Sequence, residues 1–480
     1  MSTHKERVRE VDLFVKNNKD KITNGFYRPN YHFSTPVGWL NDPNGFIYFR
    51  GEYHLFYQFY PYKAQWGSMH WGHVKSKDLV TWEELPTALS PSEWYDDHEA
   101  GGCFSGTTIE KDGKLFAFYT GTSFQNGEFV QTQCLATSED GINFEKYVEN
   151  PIVTNSAPNV KNDMFRDPKV WEKDGLYYMI VGVSISNKGN AMLYQSTDLY
   201  NWDLRGPLVS YDNDLGTMWE CPDIFDLDNK TVLIFSPMGY GERTTVYLVG
   251  ELNYKTGQFE FEKEGRIDFG YDYYAPQTTL DNQNRRLVIA WQNGWDWMPW
   301  WEDFGPTEID GWCGSMSLPK VMRLDEKNNL CLFPVEELKK YEVDIFQFKN
   351  KKINKRKQLL TNQVNESFVV KIDRYRYSNV DFSLIISTSN GDSDVITLEN
   401  NTIIYNADKN TFGKAECRMP LNENIDFIEI YSDSCSLEIV TSDGRNMSIN
   451  NFMGRGKRTI EIISEKLVTI PYIEVREIRI

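Results

Sequence analysis

A pattern that recurs about every sixty residues constrains this 480-residue chain most strongly. In each copy a Gly or Asn turn precedes a short, largely apolar segment, such as EYHLFY after the first turn. The intervals between successive turns are 62, 62, 54 and 55 residues. Each interval has room for about four strands with their turns. The turn residues are Gly51, Gly113, Gly175, Asn229 and Asn284.

A second marker follows each of the first four turns. In this marker an aromatic residue stands four positions after a polar turn residue and directly precedes a carboxylate. Two markers with similar spacing favour radial repetition of four-stranded sheets, which is a five-bladed β-propeller. The alternative is a series of unrelated antiparallel hairpins. The markers are Asp78 with Trp82-Glu83, Asp140 with Phe144-Glu145, Asp198 with Trp202-Asp203 and Lys255 with Phe259-Glu260.

The repeat ends near Pro319, and a different pattern follows it. Segments that begin at Phe368, Phe382 and Phe427 alternate apolar and polar residues, which is typical of half-buried strands and together predicts a β-sandwich. The sequence therefore predicts an all-β chain. We expect an N-terminal helical extension over residues 1–30, a five-bladed propeller over 31–335, a linker over 336–345 and a C-terminal β-sandwich over 346–480.

Charge and composition exclude several classes of function. The chain has 51 Lys+Arg against 69 Asp+Glu, a net charge of −18, which argues against a nucleic-acid partner. Its first 21 residues contain no apolar run, so they predict neither a secretory signal nor a membrane anchor. Seven widely spaced cysteines without a C-x-x-C pair indicate reduced thiols and a cytoplasmic location. His70 and His73 lack a third ligand at metal-site spacing, so no metal is expected.

Acidic residues occupy equivalent positions in three of the repeats. Asp42, Asp167 and Glu220 each stand eight or nine residues before a repeat's turn, where the innermost strand begins. Inner strands of a propeller line its axial channel, so their first residues face one mouth. The three carboxylates should converge there, and like charges would make one of them keep its proton near neutral pH. A protonated acid beside an ionised carboxylate is what glycosidic cleavage requires.

Each of these positions also has a simpler structural explanation. The residues around Asp42 suit a turn, Arg166 and Asp167 suit a local ion pair, and the segment around Glu220 suits a solvated strand end. Their shared phase in the repeat favours a common site.

In this combination and order, the motifs resemble glycoside hydrolase family 32, the β-fructofuranosidases. That family includes invertases, sucrose-6-phosphate hydrolases and fructan exohydrolases. The resemblance covers the whole propeller and implies a five-bladed propeller followed by a β-sandwich, in agreement with the repeats. The matching motifs are WLNDPNG at residues 39–45, FSG at 104–106, RDP at 166–168 and ECPD at 220–223.

The resemblance also implies roles for individual residues. Asp42 would be the nucleophile that forms a covalent fructosyl-enzyme, Glu220 the general acid and then base, and Asp167 the transition-state stabiliser. The mechanism would be retaining, with nucleophile and acid/base carboxyl groups about 5 Å apart and no cofactor. The residues implied to line the fructose pocket are Asn41, Gln58, Trp66, Phe104, Ser105, Arg166, Tyr274 and Trp291.

Several questions stay open at this level. The substrate could be sucrose, sucrose 6-phosphate or a short fructan, because linear position does not place a phosphate-binding Arg or Lys at the rim. A sugar-binding propeller, a fructosyltransferase and an inverting enzyme of the arabinanase type are the rival functions. The Trp-rich segment 295–304 predicts either a buried plug between blades or part of the aglycone side. The oligomeric state is not predicted.

Overall fold

A computed structural model describes residues 3–22, 25–155, 159–209, 214–292, 305–373, 381–407, 416–423 and 425–480. The chain begins with helix α1 (His4–Ile22), which packs on the first sheet. Asp12 Oδ1 accepts a hydrogen bond from the Thr87 backbone N–H at 2.9 Å, and Lys19 pairs with Glu84 at 3.0 Å. No helix in these ranges is long and apolar enough to cross a membrane.

The described residues between 38 and 334 form five sheets with four principal strands each. The first four sheets follow one another along the chain. They comprise β1 (Gly38–Phe49), β2 (Glu52–Tyr60), β3 (His70–Ser76) and β4 (Glu83–Glu84); β5 (Gly102–Lys111), β6 (Lys114–Gln125), β7 (Glu128–Ser138) and β8 (Glu145–Lys146); β9 (Val160–Lys173), β10 (Leu176–Ile185), β11 (Lys188–Ser196) and β12 (Asp203–Pro207); and β13 (Met218–Leu227), β14 (Lys230–Met238), β15 (Val246–Asn253) and β16 (Gln258–Arg266).

The fifth sheet also provides the connection back to the first. This part of the chain forms β17 (Tyr274–Leu280), β18 (Arg286–Gln292), a 3-10 helix (Pro306–Glu308), β19 (Trp312–Cys313), β20 (Ser315–Met316), β21 (Lys320–Leu324) and β22 (Leu330–Pro334). The short strand β19 belongs to the first sheet, where it pairs in parallel with β1, with Gly38 opposite Trp312. The end of the domain is thereby fastened to its beginning, as closure of a ring requires.

Both sequence markers correspond to defined turns. Each repeat turn residue joins the first two strands of a sheet, and in the first four sheets both residues of the turn have positive φ, as at Arg50 (50°) and Gly51 (89°). Such turns suit the right-handed twist of a hairpin. The second marker joins the third and fourth strands, where Asp78 Oδ1 accepts the backbone N–H groups of Val80 and Thr81 at 3.1 and 2.8 Å.

The remaining strands form two six-stranded sheets that pack face to face. A second 3-10 helix (Glu336–Tyr341) precedes them, and β23 begins at Glu342, inside the segment predicted as a linker. Together these elements confirm the predicted all-β class. The strands are β23 (Glu342–Ile353), β24 (Gln358–Val364), β25 (Phe368–Asp373), β26 (Phe382–Thr388), β27 (Ser393–Glu399), β28 (Thr402–Ala407), β29 (Cys417–Pro420), β30 (Phe427–Ser432), β31 (Leu437–Thr441), β32 (Asn446–Ile449), β33 (Arg458–Ile463) and β34 (Val468–Ile478).

The two domains meet at four fully buried charged side chains, His32, Lys320, Asp433 and Glu438, which we call the junction cluster. His32 Nδ1 lies 3.0 Å from Asp433 Oδ2, and His32 Nε2 lies 3.2 Å from Glu438 Oε1. Lys320 Nζ lies 2.5 Å from Glu438 Oε2. Glu438 also accepts a hydrogen bond from the side chain of Gln292, at 2.8 Å. The sandwich thereby contacts the end of β18, next to Trp291.

Candidate active site

The first strand of each of the five sheets carries an irregularity near its beginning, where the strands approach one another. The pairing register shifts between Leu40 and Pro43, between Phe104 and Gly106, and at the corresponding places on β9, β13 and β17. Asp167 and Cys221 adopt positive φ values of 67° and 48°. Such bulges redirect side chains out of the regular alternation of a strand. Here they bring polar groups from different sheets together.

Asp42, on β1, is buried among hydrogen-bond donors from two sheets. Its Oδ2 accepts a hydrogen bond from Ser105 Oγ at 2.5 Å, and its Oδ1 accepts one from Asn41 Nδ2 at 3.1 Å. Burial raises the pKa of Asp42, and the negative charge of Glu220 raises it further. The donors oppose this rise, so they stabilise the ionised form and fix the direction of the carboxylate.

Asp167, on β9, is buried and forms hydrogen bonds with residues of two other sheets. Its backbone N–H donates to Thr120 Oγ1 at 2.9 Å, and its Oδ2 accepts the backbone N–H of Cys221 at 2.9 Å. Burial raises its pKa to about 7; the Arg166 charge opposes the rise, whereas Glu220 and Asp42 add to it. Asp167 therefore changes protonation near neutral pH.

Glu220, on β13, is held at both carboxylate oxygens. Arg166 donates to Oε1 from Nε at 3.1 Å and from its terminal nitrogen at 2.8 Å. The Tyr274 hydroxyl donates to Oε2. Glu220 and Asp42 both raise the pKa of Asp167, as close carboxylates do. The predicted convergence of the three acids is therefore present.

Cys221 is a contact that the sequence did not reveal. Its thiol lies 3.3 Å from Asp42 Oδ2 and 3.6 Å from Asp167 Oδ2, and it bridges the two carboxylates. Burial raises the pKa of this thiol, and both carboxylates add to the rise, so it remains a neutral donor. The sequence signal was the position of Cys221 directly after Glu220, but that position alone gives no direction for the side chain.

The other predicted pocket residues contact β5 and β17, the strands that carry Ser105 and Tyr274. Gln58 is buried and donates to the Cys103 carbonyl at 3.0 Å, while Trp66 and Phe104 are half-buried with ring centroids 6.0 Å apart. The buried Trp291 ring lies 6.2 Å from that of Tyr274. The Trp-rich segment 295–304 lies outside the described residues.

Gln131, on β7, is a second residue that sequence reasoning missed. Its Oε1 accepts the backbone N–H of Phe165 at 3.0 Å and lies 3.4 Å from an Arg166 terminal nitrogen. It therefore supports the arginine that holds Glu220. Among the described residues, no group of three or more His, Cys, Asp or Glu is arranged to hold a metal ion. His73 instead contacts His54, with Nε2 3.0 Å from Nδ1.

Comparison with known proteins gives the family. The family model for the glycosyl hydrolases family 32 N-terminal domain matches residues 32–334. The chain belongs to glycoside hydrolase family 32. The sucrose-6-phosphate hydrolase of Zymomonas mobilis is 38% identical to it over 359 residues, which cover 70% of this chain and 67% of that protein. The sucrose-6-phosphate hydrolase of Bacillus subtilis is also 38% identical, over 356 residues that cover 71% and 72% of the two chains.

A solved structure extends the similarity of this family 32 enzyme to its second domain. The Bombyx mori GH32 β-fructofuranosidase BmSUC1 superposes with a TM-score of 0.87 at 32% sequence identity, covering 99% of each chain. The predicted propeller followed by a sandwich is thereby confirmed. The chain is accordingly a glycosidase that acts on a sugar and cleaves terminal β-fructofuranosyl bonds.

Proposed function

We propose that this family 32 enzyme hydrolyses sucrose, sucrose 6-phosphate or short fructans with retention of configuration, through a covalent fructosyl-enzyme on Asp42. Two observations carry the proposal: the Cys221 thiol bridges Asp42 and Asp167, and the charge of Glu220 acts on both, although the three acids lie on different sheets. Double displacement requires a nucleophile and a proton donor close together, which these carboxylates provide.

Asp42 would attack the anomeric carbon of the fructosyl unit. Its hydrogen bonds from Ser105 and Asn41 orient the carboxylate before substrate arrives. Because the carboxylate is buried, water screens its charge little, and it interacts strongly with the positive charge that develops at the anomeric carbon. The carbon–oxygen bond to the leaving sugar breaks as the bond to Asp42 forms.

Glu220 would donate its proton to the leaving glycosyl oxygen and then take one from the attacking water. Arg166 holds Oε1 of Glu220 in place for both steps, with a terminal nitrogen 2.8 Å from that oxygen. The Tyr274 hydroxyl fixes the other oxygen.

Asp167 would bind fructose hydroxyls and stabilise the oxocarbenium-like transition state. With its pKa at about 7, the group is ionised only in part in the free enzyme at neutral pH. A positive charge at the sugar ring favours the ionised form, so the attraction strengthens as the transition state is approached.

The proposed substrates follow from the relatives. Besides the two sucrose-6-phosphate hydrolases, a raffinose invertase from Escherichia coli is 39% identical over 325 residues. A structure of a Bombyx mori variant in complex with sucrose has a TM-score of 0.86. We also infer a cytoplasmic location, which seven buried cysteines in the thiol form support.

The test is fructose release from sucrose, sucrose 6-phosphate and 1-kestose by the parent and three variants. Asp42→Asn should abolish turnover, and Glu220→Gln should lower kcat at least about a hundredfold. Glu264→Gln is a matched control, because Glu264 also contacts an Arg and a Tyr, Arg243 and Tyr240, but outside the site. Its kcat should equal that of the parent. Substantial activity of purified Asp42→Asn would refute the nucleophile assignment.

A further inference from the structure

A buried ion pair lies directly behind the catalytic residues. Lys169 follows Asp167 by two residues on β9, and Asp223 follows Glu220 by three residues on β13. Lys169 Nζ and Asp223 Oδ2 are 2.9 Å apart, and both side chains are almost completely buried. Asp223 is the last residue of the ECPD motif and Lys169 directly follows the RDP motif, but neither member contacts the carboxylates of Asp167 and Glu220.

The pair also binds a third inner strand. Asp223 Oδ2 accepts the backbone N–H of Thr278 at 2.8 Å, and Lys169 Nζ donates to the Thr278 carbonyl at 3.2 Å. Thr278 stands four residues after Tyr274 on β17. One ion pair therefore joins three strands. Along each strand, its point of attachment lies about 7–13 Å from the site residue of that strand.

The strands need such a connection because their regular pairing is interrupted at the site. Between the site residues and the ion pair, Cys221 and Ala275 have φ values of 48° and 51°, and the register shifts at both places. A bulge loses ladder hydrogen bonds and leaves the strand less constrained. The position of each bulge is therefore determined by the residues after it, where regular strand pairing resumes.

A buried ion pair is a poor source of stability. Burial lowers the pKa of Lys169, which shows that the charged amine is costly at this place. Desolvation of two charges consumes most of their attraction, and apolar residues of equal volume often stabilise a core as well. What a paired amine and carboxylate provide is a fixed distance and direction between the strands that carry them.

We propose that Lys169 and Asp223 are positioning residues for fructosyl cleavage, and that they set the separation of Asp167 and Glu220 by tying β9, β13 and β17 together behind the bulges. This inference rests on the proposed function. Loss of the pair should weaken the interactions with the transition state without removing any group that contacts the substrate. Both kcat and kcat/KM should therefore fall by a similar factor.

The test is the double variant Lys169→Met/Asp223→Asn, assayed for sucrose hydrolysis against pH and for thermal unfolding. Met fills the volume of the lysine stem, and Asn keeps an oxygen for the Thr278 N–H. The net charge is unchanged, so an altered pH profile reports geometry rather than lost charge. We expect kcat to fall between about ten- and a hundredfold. The acid limb of kcat/KM, which ionisation of Asp167 sets, should move to lower pH as Asp167 and Glu220 separate.

The matched control is Lys173→Met/Asp226→Asn. Lys173 and Asp226 join the same two strands at the same 2.9 Å, but both are largely exposed and further from the site. This control should keep the kcat and pH profile of the parent. If the parent cleaves sucrose and the folded Lys169→Met/Asp223→Asn variant matches it in kcat and pH profile, the inference is wrong. A parent without fructosidase activity would instead overturn the proposed function.

A second variant covers the case in which the double variant does not fold. Lys169→Arg keeps the charge and the pairing with Asp223 but places the cation on a longer, planar group. We expect it to fold and to lower kcat by about threefold to tenfold. An unchanged kcat in Lys169→Arg would overturn the inference on its own.

Discussion

The proposed catalytic cluster and the junction cluster are both largely buried groups of four charged side chains, but their charges are balanced differently. The catalytic cluster contains three carboxylates, Asp42, Asp167 and Glu220, and one cation, Arg166. The junction cluster contains two acids and two bases. Burial raises the pKa of acids in both clusters, so any difference between their pKa values comes from the neighbouring charges.

The outcomes are opposite in sign. At the junction, burial alone would raise the pKa of Glu438, but the charges of Lys320 and His32 lower it to about 2. In the catalytic cluster, the single cation does not offset burial and two like charges, and the pKa of Asp167 rises to about 7. A balanced cluster therefore favours folding near neutral pH, whereas an unbalanced one contains an acid that changes protonation near neutral pH.

The largest expected effect is at the junction. Glu438→Gln should lower the free energy of unfolding by about 3–5 kcal/mol, because it leaves two buried cations facing one acid. Chemical denaturation at pH 7 measures this. Glu336→Gln, in an exposed pair with Lys339, is the control and should cost less than about 1 kcal/mol. Equal losses in the two variants would show that the junction charges contribute no more than surface ones.

At the catalytic cluster, removal of an acid is expected to raise the free energy of unfolding rather than lower it. Asp167→Asn should raise stability by about 1 kcal/mol at pH 8 while lowering kcat at least about a hundredfold. The raised folded-state pKa means that stability from this group is present below pH 4 and is lost as the pH rises through about 7. The gain should therefore grow between pH 4 and pH 8. A variant less stable than the parent at pH 8 would contradict the comparison.

The smallest effect concerns His32. Burial lowers its pKa, but the hydrogen bonds to Asp433 and Glu438 outweigh burial and raise it to about 9. Its stabilising contribution is therefore complete below pH 6.5 and is lost as the pH rises through about 9. The Tm difference between the parent and His32→Gln should shrink by a few degrees between pH 7 and pH 10. A constant difference would show that His32 is neutral in the fold.

Features that depend on the spacing of the sixty-residue repeat, and on the position of a residue within it, could be predicted from the sequence. The turn at Gly51 and the phase of Asp42, Asp167 and Glu220 each follow from spacing, because equivalent strands of a repeat occupy equivalent places. The contact of Gln131 with Arg166 could not be predicted in this way, since it joins neighbouring sheets at no repeated offset.

The junction cluster was unpredictable for a related reason. His32 and Glu438 are 406 residues apart and come from regions with unrelated patterns, so no spacing connects them. The direction of the Cys221 thiol depends on a positive φ within a bulge. Bulges follow from the packing of several strands against one another, and the sequence of one strand does not encode them.

Methanolysis tests the central claim most directly, because a methyl fructoside cannot change its anomeric configuration after it forms. The parent enzyme is supplied with sucrose in aqueous methanol, and the first methyl fructofuranoside is identified by NMR. Double displacement through Asp42 predicts methyl β-D-fructofuranoside. The α anomer would show a single displacement and contradict a covalent fructosyl-enzyme on this carboxylate.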